Sequence, residues 1–248
     1  MNRQSQAAVL FLLGAALLHA GTTDLYLRYV KAGLRPLLLA AGAVLILTAL
    51  ATAWYERRKT KQTKQTTHTG ADADGHVHVH PEPRVSWLLI LPLLALILVA
   101  PPALGSYSAT RTGTALQKPL AYAALPAQGT LRLSVVDYAG RAIYDHGRTL
   151  AGRQVQLTGF VALDHAGTPY LVRMALNCCA ADAQPVKVAL SGHIPPVLQP
   201  DTWLTVTGAY TPRSLHDPVN DGPIPFLDVT SAKPVPTPRD PYDETWNN

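Results

Sequence analysis

Cysteine is nearly absent from this chain. Its two copies, Cys178 and Cys179, are adjacent, so no disulfide framework can be built from them. A large excess of charge is missing too: the formal net charge is only +5. The basic residues cluster just after the second apolar run, a placement that suits a membrane surface better than a nucleic-acid partner. Charge is wholly lacking from two long apolar runs, Pro36–Tyr55 and Val85–Leu104. About 20 uncharged apolar residues match the ~30 Å hydrocarbon core of a bilayer.

What is present completes a membrane pattern. A first apolar run, Ala7–Leu27, also qualifies if Asp24 sits near the interface. Arg3 followed by an apolar stretch resembles a secretory signal. A second run follows almost at once, however, which favours a helical hairpin that stays in the bilayer. The reading is therefore about three transmembrane helices. Trp87 is an interfacial anchor for the third, Pro92 a kink within it, and Pro101 and Pro102 its end. Orientation follows from flanking Lys and Arg. Residues 56–84 carry Arg57, Arg58, Lys59, Lys61, Lys64 and Arg84, whereas the first connection carries Arg28, Lys31 and Arg35. This bias predicts a cytoplasmic N terminus, a cytoplasmic 56–84 segment and an extracytoplasmic C-terminal domain. His19 and Asp24 have two readings: packing plus an interfacial Asp24–Arg28 pair, or a place on an ion path.

Residues 56–84 show no apolar periodicity. The phrase Lys-Gln-Thr-Lys-Gln-Thr-Thr is low in complexity and predicts disorder. His76, His78 and His80 alternate, so an extended chain would project all three imidazoles to one side. With His68, Asp72 and Asp74 nearby, this is either a loose site for zinc, nickel or copper, or an inert solvated linker.

From about Leu131 the pattern turns to strands. Five are expected, around Gln154–Val161, Tyr170–Leu176, Pro185–Leu190, Trp203–Tyr210 and Phe226–Thr230, with a turn or brief helix over 194–199 between the third and fourth. Three strands, a connector and two strands is the order of an OB-like five-stranded barrel. Gly159 and Gly208 suit bends or bulges at barrel corners. Residues 134–145 suit a helix whose Tyr138 and Ile143 pack on one end of the barrel. Val155, Leu157, Leu171, Val188, Leu204 and Val206 are expected in the core. The strands carry few interleaved basic and aromatic residues, so no nucleic-acid partner is expected. The organisation read from sequence is a hairpin over 1–55, a linker over 56–84, a third helix over 85–105, a linker over 106–128, the all-β domain over 129–238 and a tail over 239–248.

The sharpest local feature is Asn177-Cys-Cys-Ala-Ala-Asp182, between the second and third strands. Three readings compete: a vicinal disulfide, metal ligation by Cys178 and Cys179 with Asp182 or a histidine, and a packing pair without chemistry. Adjacent side chains diverge, so one ion is reached by both thiolates only if the chain turns at Ala180. A thiol enzyme would need a nearby base, for which His146, His165 and His193 are the candidates.

With an apolar hairpin, a polar linker, a third apolar run and the phrases GRQVQLTGFV, CCAADAQPV and DTWLTVTGAY in order, the chain resembles the YcgQ-type family of bacterial membrane proteins. That family implies a bacterial cell-membrane location beside permeases of the YcgR or YraQ type, hence a two-component transport system; it has no agreed catalytic residues, so none is carried over to this chain. The expectation is a non-enzymatic accessory subunit of a membrane permease that contacts the lipid bilayer and handles a divalent metal. The metal candidates are zinc or copper at Cys178, Cys179, Asp182, His76, His78 and His80. The alternatives are an extracytoplasmic thiol redox protein, and a ligand-free structural or sensing protein of the envelope.

Overall fold

The structure, a computed structural model, describes residues 3–65, 88, 91, 94–95, 98–99 and 101–244. Most of the third apolar run, and the histidine segment with His76, His78 and His80, lie outside the described residues. The chain divides into two compact units, Met1–Tyr26 with Gly33–Pro101, and Leu27–Ala32 with Pro102–Asn248.

The first unit is a hairpin of two apolar helices, α1 (Arg3–Thr22) and α2 (Arg35–Gln65). Both are long and apolar enough to cross a membrane. They run antiparallel: Arg3 pairs with Glu56 at one end, and at the other Arg35 donates to the Gly21 carbonyl. Glycine lets the helices approach closely. A Cβ on Gly14 would lie 2.8 Å from the Gly42 carbonyl oxygen. The rest of the hairpin surface stays apolar and exposed, through Phe11, Leu37, Leu47 and Trp54. Two sequence expectations change here. α1 ends at Thr22 rather than running to Leu27, and the Thr22 and Thr23 hydroxyls fold back onto the Leu18 and His19 carbonyls. α2 continues to Gln65 through a stretch expected to be disordered. Glu, Arg, Lys and Gln are good helix formers and extend a helix that the apolar run has already nucleated.

The second unit is an all-β domain on a closed five-stranded barrel. Its seven strands are β1 (Leu131–Arg132), β2 (Gln154–Leu163), β3 (Pro169–Leu176), β4 (Gln184–Gly192), β5 (Trp203–His216), β6 (Pro223–Pro234) and β7 (Tyr242–Glu244). The barrel order is β2-β5-β6-β4-β3, closed by antiparallel pairing of β2 with β3. All its neighbours are antiparallel except β4 and β6. This is the OB order expected from sequence. β1 adds in parallel to β2, and β7 in parallel to β3.

Two glycines allow the closure. The pairing of β2 with β5 runs through Gly159, opposite Leu204, to Phe160, opposite Trp203, and its pairing with β3 starts at Phe160, opposite Val172. A Cβ on Gly159 would lie 2.7 Å from the Val172 carbonyl oxygen. Gly208 stands at a register shift between β5 and β6, where a Cβ would run into the Asp228 carbonyl. Val155, Leu157, Leu171, Val188, Leu204 and Val206 all lie in the barrel core, at no more than 1% exposure. Helix α4 (Val135–Tyr144) closes one end, with Val135, Tyr138 and Ala139 in the same core and the Tyr138 hydroxyl donating to the Phe226 carbonyl. Ser134 caps its N terminus by accepting from Asp137 N–H. Ile143 is only half-buried. Residues 194–199 are irregular rather than helical.

β3 is buried on both faces rather than alternating. A second apolar layer explains this: Phe160, Val172, Met174, Trp203 and Tyr242 pack with Ala109 of the short helix α3 (Ser106–Arg111). Three buried cations fasten segments outside the barrel to this frame. Lys187 pairs with Asp217 at 2.7 Å and donates to the Thr112 carbonyl. Arg141 pairs with Asp137 and donates to the Ala123 carbonyl. Arg173 pairs with Asp243 at 2.9 Å and donates to the Tyr242 carbonyl. Residues 106–114 and 240–244, read from sequence as parts of a linker and a tail, thus contribute α3 and β7 to the domain.

Candidate functional site

The cysteine loop connects β3 to β4. Leu176 ends β3, Cys178 and Cys179 follow, and a 3-10 turn over Ala180–Asp182 leads into β4. Cys179 itself is extended, at φ −153° and ψ 168°. The turn is what brings Asp182 back over the loop. Its carboxylate accepts from Asn177 N–H at 3.0 Å and from Cys178 N–H at 2.9 Å, and its own N–H donates to the Cys179 carbonyl. Asp182 thereby occupies the position that a turn-closing aspartate takes up at a loop.

The consequence is a cluster of donors. One ligand atom from each of Cys178, Cys179 and Asp182 lies within 4.8 Å of the others. Bonds of about 2.0–2.3 Å around one tetrahedral zinc set donors roughly 3.5 Å apart, against a spread of up to 4.8 Å here. The turn over Ala180–Asp182 brings the carboxylate back beside the two thiols. The carboxylate has about four lone-pair sites, so two N–H bonds leave it able to ligate. Both thiols are free; Cys178 is exposed and Cys179 half-buried, so neither is a core packing residue.

The electrostatics are local. The Asp182 carboxylate that accepts from the Cys178 thiol, followed by the neighbouring Cys179, pushes that thiol up to about 11. Desolvation works against Asp182, but bonds from the Cys178 thiol and from the loop backbone N–H groups hold its carboxyl below the usual carboxylate value. A thiol kept protonated is a slow nucleophile in disulfide exchange. A metal ligand set instead loses its protons to the arriving ion.

Three protein donors leave a coordination position open on a tetrahedral ion, and two thiolates alone satisfy the soft preference of Cu⁺. Among the described residues no histidine completes this set: the cluster contains only Cys178, Cys179 and Asp182. His146 has a left-handed backbone, φ 51°, and lines a separate cavity of about 320 Å³ with Ile143, Tyr210 and Arg213. His165 is in the turn between β2 and β3, and His193 follows β4. His76, His78 and His80 lie outside the described residues.

Sequence reasoning missed the residues that hold the loop from outside. Val30 forms an antiparallel bridge with Cys179, and β7 runs beside the end of β3. The adjacent Tyr29 and Val30, both strand formers at the end of an apolar run, were the available signal.

Comparison with curated proteins and with solved structures returns no match. The model of the DUF1980 C-terminal domain matches residues 114–243, more than half of the chain and almost all of the barrel with its added strands, and the chain belongs to that family.

Proposed function

We propose that this protein is a non-enzymatic accessory subunit of a two-component membrane permease, and that its β domain captures a zinc or copper ion through Cys178, Cys179 and Asp182. The observation that carries the metal reading is the convergence of three ligand atoms within 4.8 Å on a loop held by a rigid barrel. An open coordination position suits capture and hand-over better than a permanent structural site. The permease rests on the resemblance to the YcgQ-type family. The membrane location is supported by the length and hydropathy of α1 and α2. The bias of Lys and Arg toward residues 56–84 supports a cytoplasmic N terminus and an extracytoplasmic β domain. In this reading the helices contact lipid and the permease, and the solute is the metal that the β domain delivers.

The test uses the full-length protein in detergent micelles, titrated with Zn²⁺ and with Cu⁺ under reducing conditions beside Cys178→Ser/Cys179→Ser. Tight binding by the parent and its loss in the double variant are expected. No binding by the parent, or unchanged binding by the variant, overturns the metal role. A second reading, an extracytoplasmic thiol redox protein, is favoured by the two adjacent free thiols. It predicts catalytic turnover of a disulfide substrate by the metal-free parent, which the first reading does not.

A further inference from the structure

The cysteine loop is held by a segment that lies outside the matched family domain. Lys31 N–H donates to the Cys178 carbonyl at 3.1 Å, and Ala180 N–H donates to the Tyr29 carbonyl at 2.7 Å. Val30 stands opposite Cys179 between these two bonds. The same short segment is fastened at both ends. The Tyr242 hydroxyl donates to the Arg28 carbonyl at 3.1 Å, and the Lys31 ammonium lies 3.0 Å from the Glu244 carboxylate. Tyr242 and Glu244 belong to β7, which pairs with Met174–Leu176, the residues that lead into the loop. Residues 28–31 are therefore tied both to the loop and to the strand that delivers it. Residues 27–32 belong to the same compact unit as the barrel.

We infer that Tyr29–Lys31 is a positioning clasp for the metal loop: it sets the backbone of Cys178–Ala180 so that the two thiols and Asp182 face one ion, and metal binding tightens it in return. The metal half of this inference rests on the function proposed above. The physical reason lies in the order of backbone states along the loop. Cys179 must be extended and Ala180 must begin a 3-10 turn, and the two clasp bonds flank that change. A free loop would have to be ordered by the ion itself, at the cost of the loop's backbone conformational entropy. A loop already held in place binds without that cost. Coupling of this kind is reciprocal, so an ion that favours the ordered loop favours the clasp equally. Residues 27–32 also lie within the connection between α1 and α2. Metal occupancy would thus be felt in the segment joining the two apolar helices.

The experiment measures amide exchange and Zn²⁺ affinity on the full-length protein in micelles under reducing conditions. Lys31→Pro removes the N–H that bonds Cys178. Tyr242→Phe with Glu244→Ala releases the two ends of the segment without altering its backbone. Unchanged protection of β2 to β6 shows that each variant is folded. The expected result has two parts. In metal-free protein, exchange at 178–180 speeds up in both variants. Zn²⁺ affinity, read by competition with a chromophoric chelator, falls about tenfold in Lys31→Pro, the effect of roughly one net backbone hydrogen bond. In the parent, Zn²⁺ slows exchange at the Lys31 and Ala180 amides. Unchanged exchange at 178–180 in both metal-free variants overturns the positioning role, whatever the metal does. Faster exchange with Zn²⁺ affinity still within twofold of the parent overturns the coupling. A parent that binds no Zn²⁺ overturns the metal site and the coupling together, and leaves the positioning role to be decided by the metal-free exchange.

Discussion

Asp243 is the residue whose removal tests the architecture most directly. Its carboxylate is buried, at 8% exposure, and serves two elements at once. One oxygen accepts from Arg173 Nε at 2.9 Å. The other accepts from Val135 N–H at 3.0 Å and Val136 N–H at 3.4 Å, at the N terminus of α4. Asp243→Ala leaves a buried guanidinium without its counter-ion. Arg173 Nη1 already has no hydrogen-bond partner, so the remaining bonds, to the Asp240 and Tyr242 carbonyls, must carry the charge alone. Breaking a buried pair on one side costs about 3–5 kcal/mol, and losing an anion at a helix N terminus adds roughly 0.3–1 kcal/mol. The retained carbonyl bonds hold the expected total near 3–4 kcal/mol, the low end of the range for a broken buried pair. Urea unfolding of the β domain in the full-length protein, followed by Trp203 fluorescence, measures it. Removing both charges with Arg173→Met/Asp243→Leu should cost clearly less than Asp243→Ala, because no unpaired ion remains. A loss below about 1 kcal/mol for Asp243→Ala, the scale of an exposed ion pair, would refute the reasoning. So would a double variant as unstable as the sum of its single variants.

Three other outcomes are expected. Leu157→Ala should destabilise the domain by about 2–5 kcal/mol in the same assay, since the side chain is fully buried in the barrel; a smaller loss would mean that the core collapses around the gap. Burial, and then the hydrogen bond to Asp164, push the Tyr170 hydroxyl up to about 12. Its contribution to stability is therefore fully present below the ordinary tyrosine value of about 10 and lost as pH rises through about 12; Tyr170→Phe should flatten the alkaline fall in stability, and an identical fall in the variant would remove that assignment. A reporter active only in the cytoplasm should work when fused after Lys64 and be silent after Asn248, and the reverse pattern would overturn the proposed orientation.

The periodicity of the sequence was enough for the barrel. Val155 and Leu157, or Leu204 and Val206, are two apart and so share one face of a strand, here the face inside the barrel. Two copies of a Thr-Gly phrase marked the places where the barrel turns. Two long uncharged or weakly charged runs likewise sufficed for helices of membrane-spanning length, because hydropathy and length are local properties of the chain. The limits of those helices were less legible. Thr22 and Thr23 end α1 by bonding backwards, and charged residues past Tyr55 sustain α2, which apolar content alone does not reveal.

Tertiary structure decided the rest. The cysteine pair stood out in the sequence, but its chemistry depended on whether three diverging side chains could meet. The turn at Ala180–Asp182 and the two N–H bonds to the Asp182 carboxylate place that carboxylate within 4.8 Å of both thiols. The clasp at Tyr29–Lys31 and strand β7 were hidden for a different reason. Each is only a few residues long, too short to carry a period, and each is specified by a partner far away in the chain. Arg28 meets Tyr242, and Asp243 meets both Arg173 and the start of α4. Pairings across such separations are created by the folded barrel, which supplies the buried cation and the open strand edge that make these short segments bind.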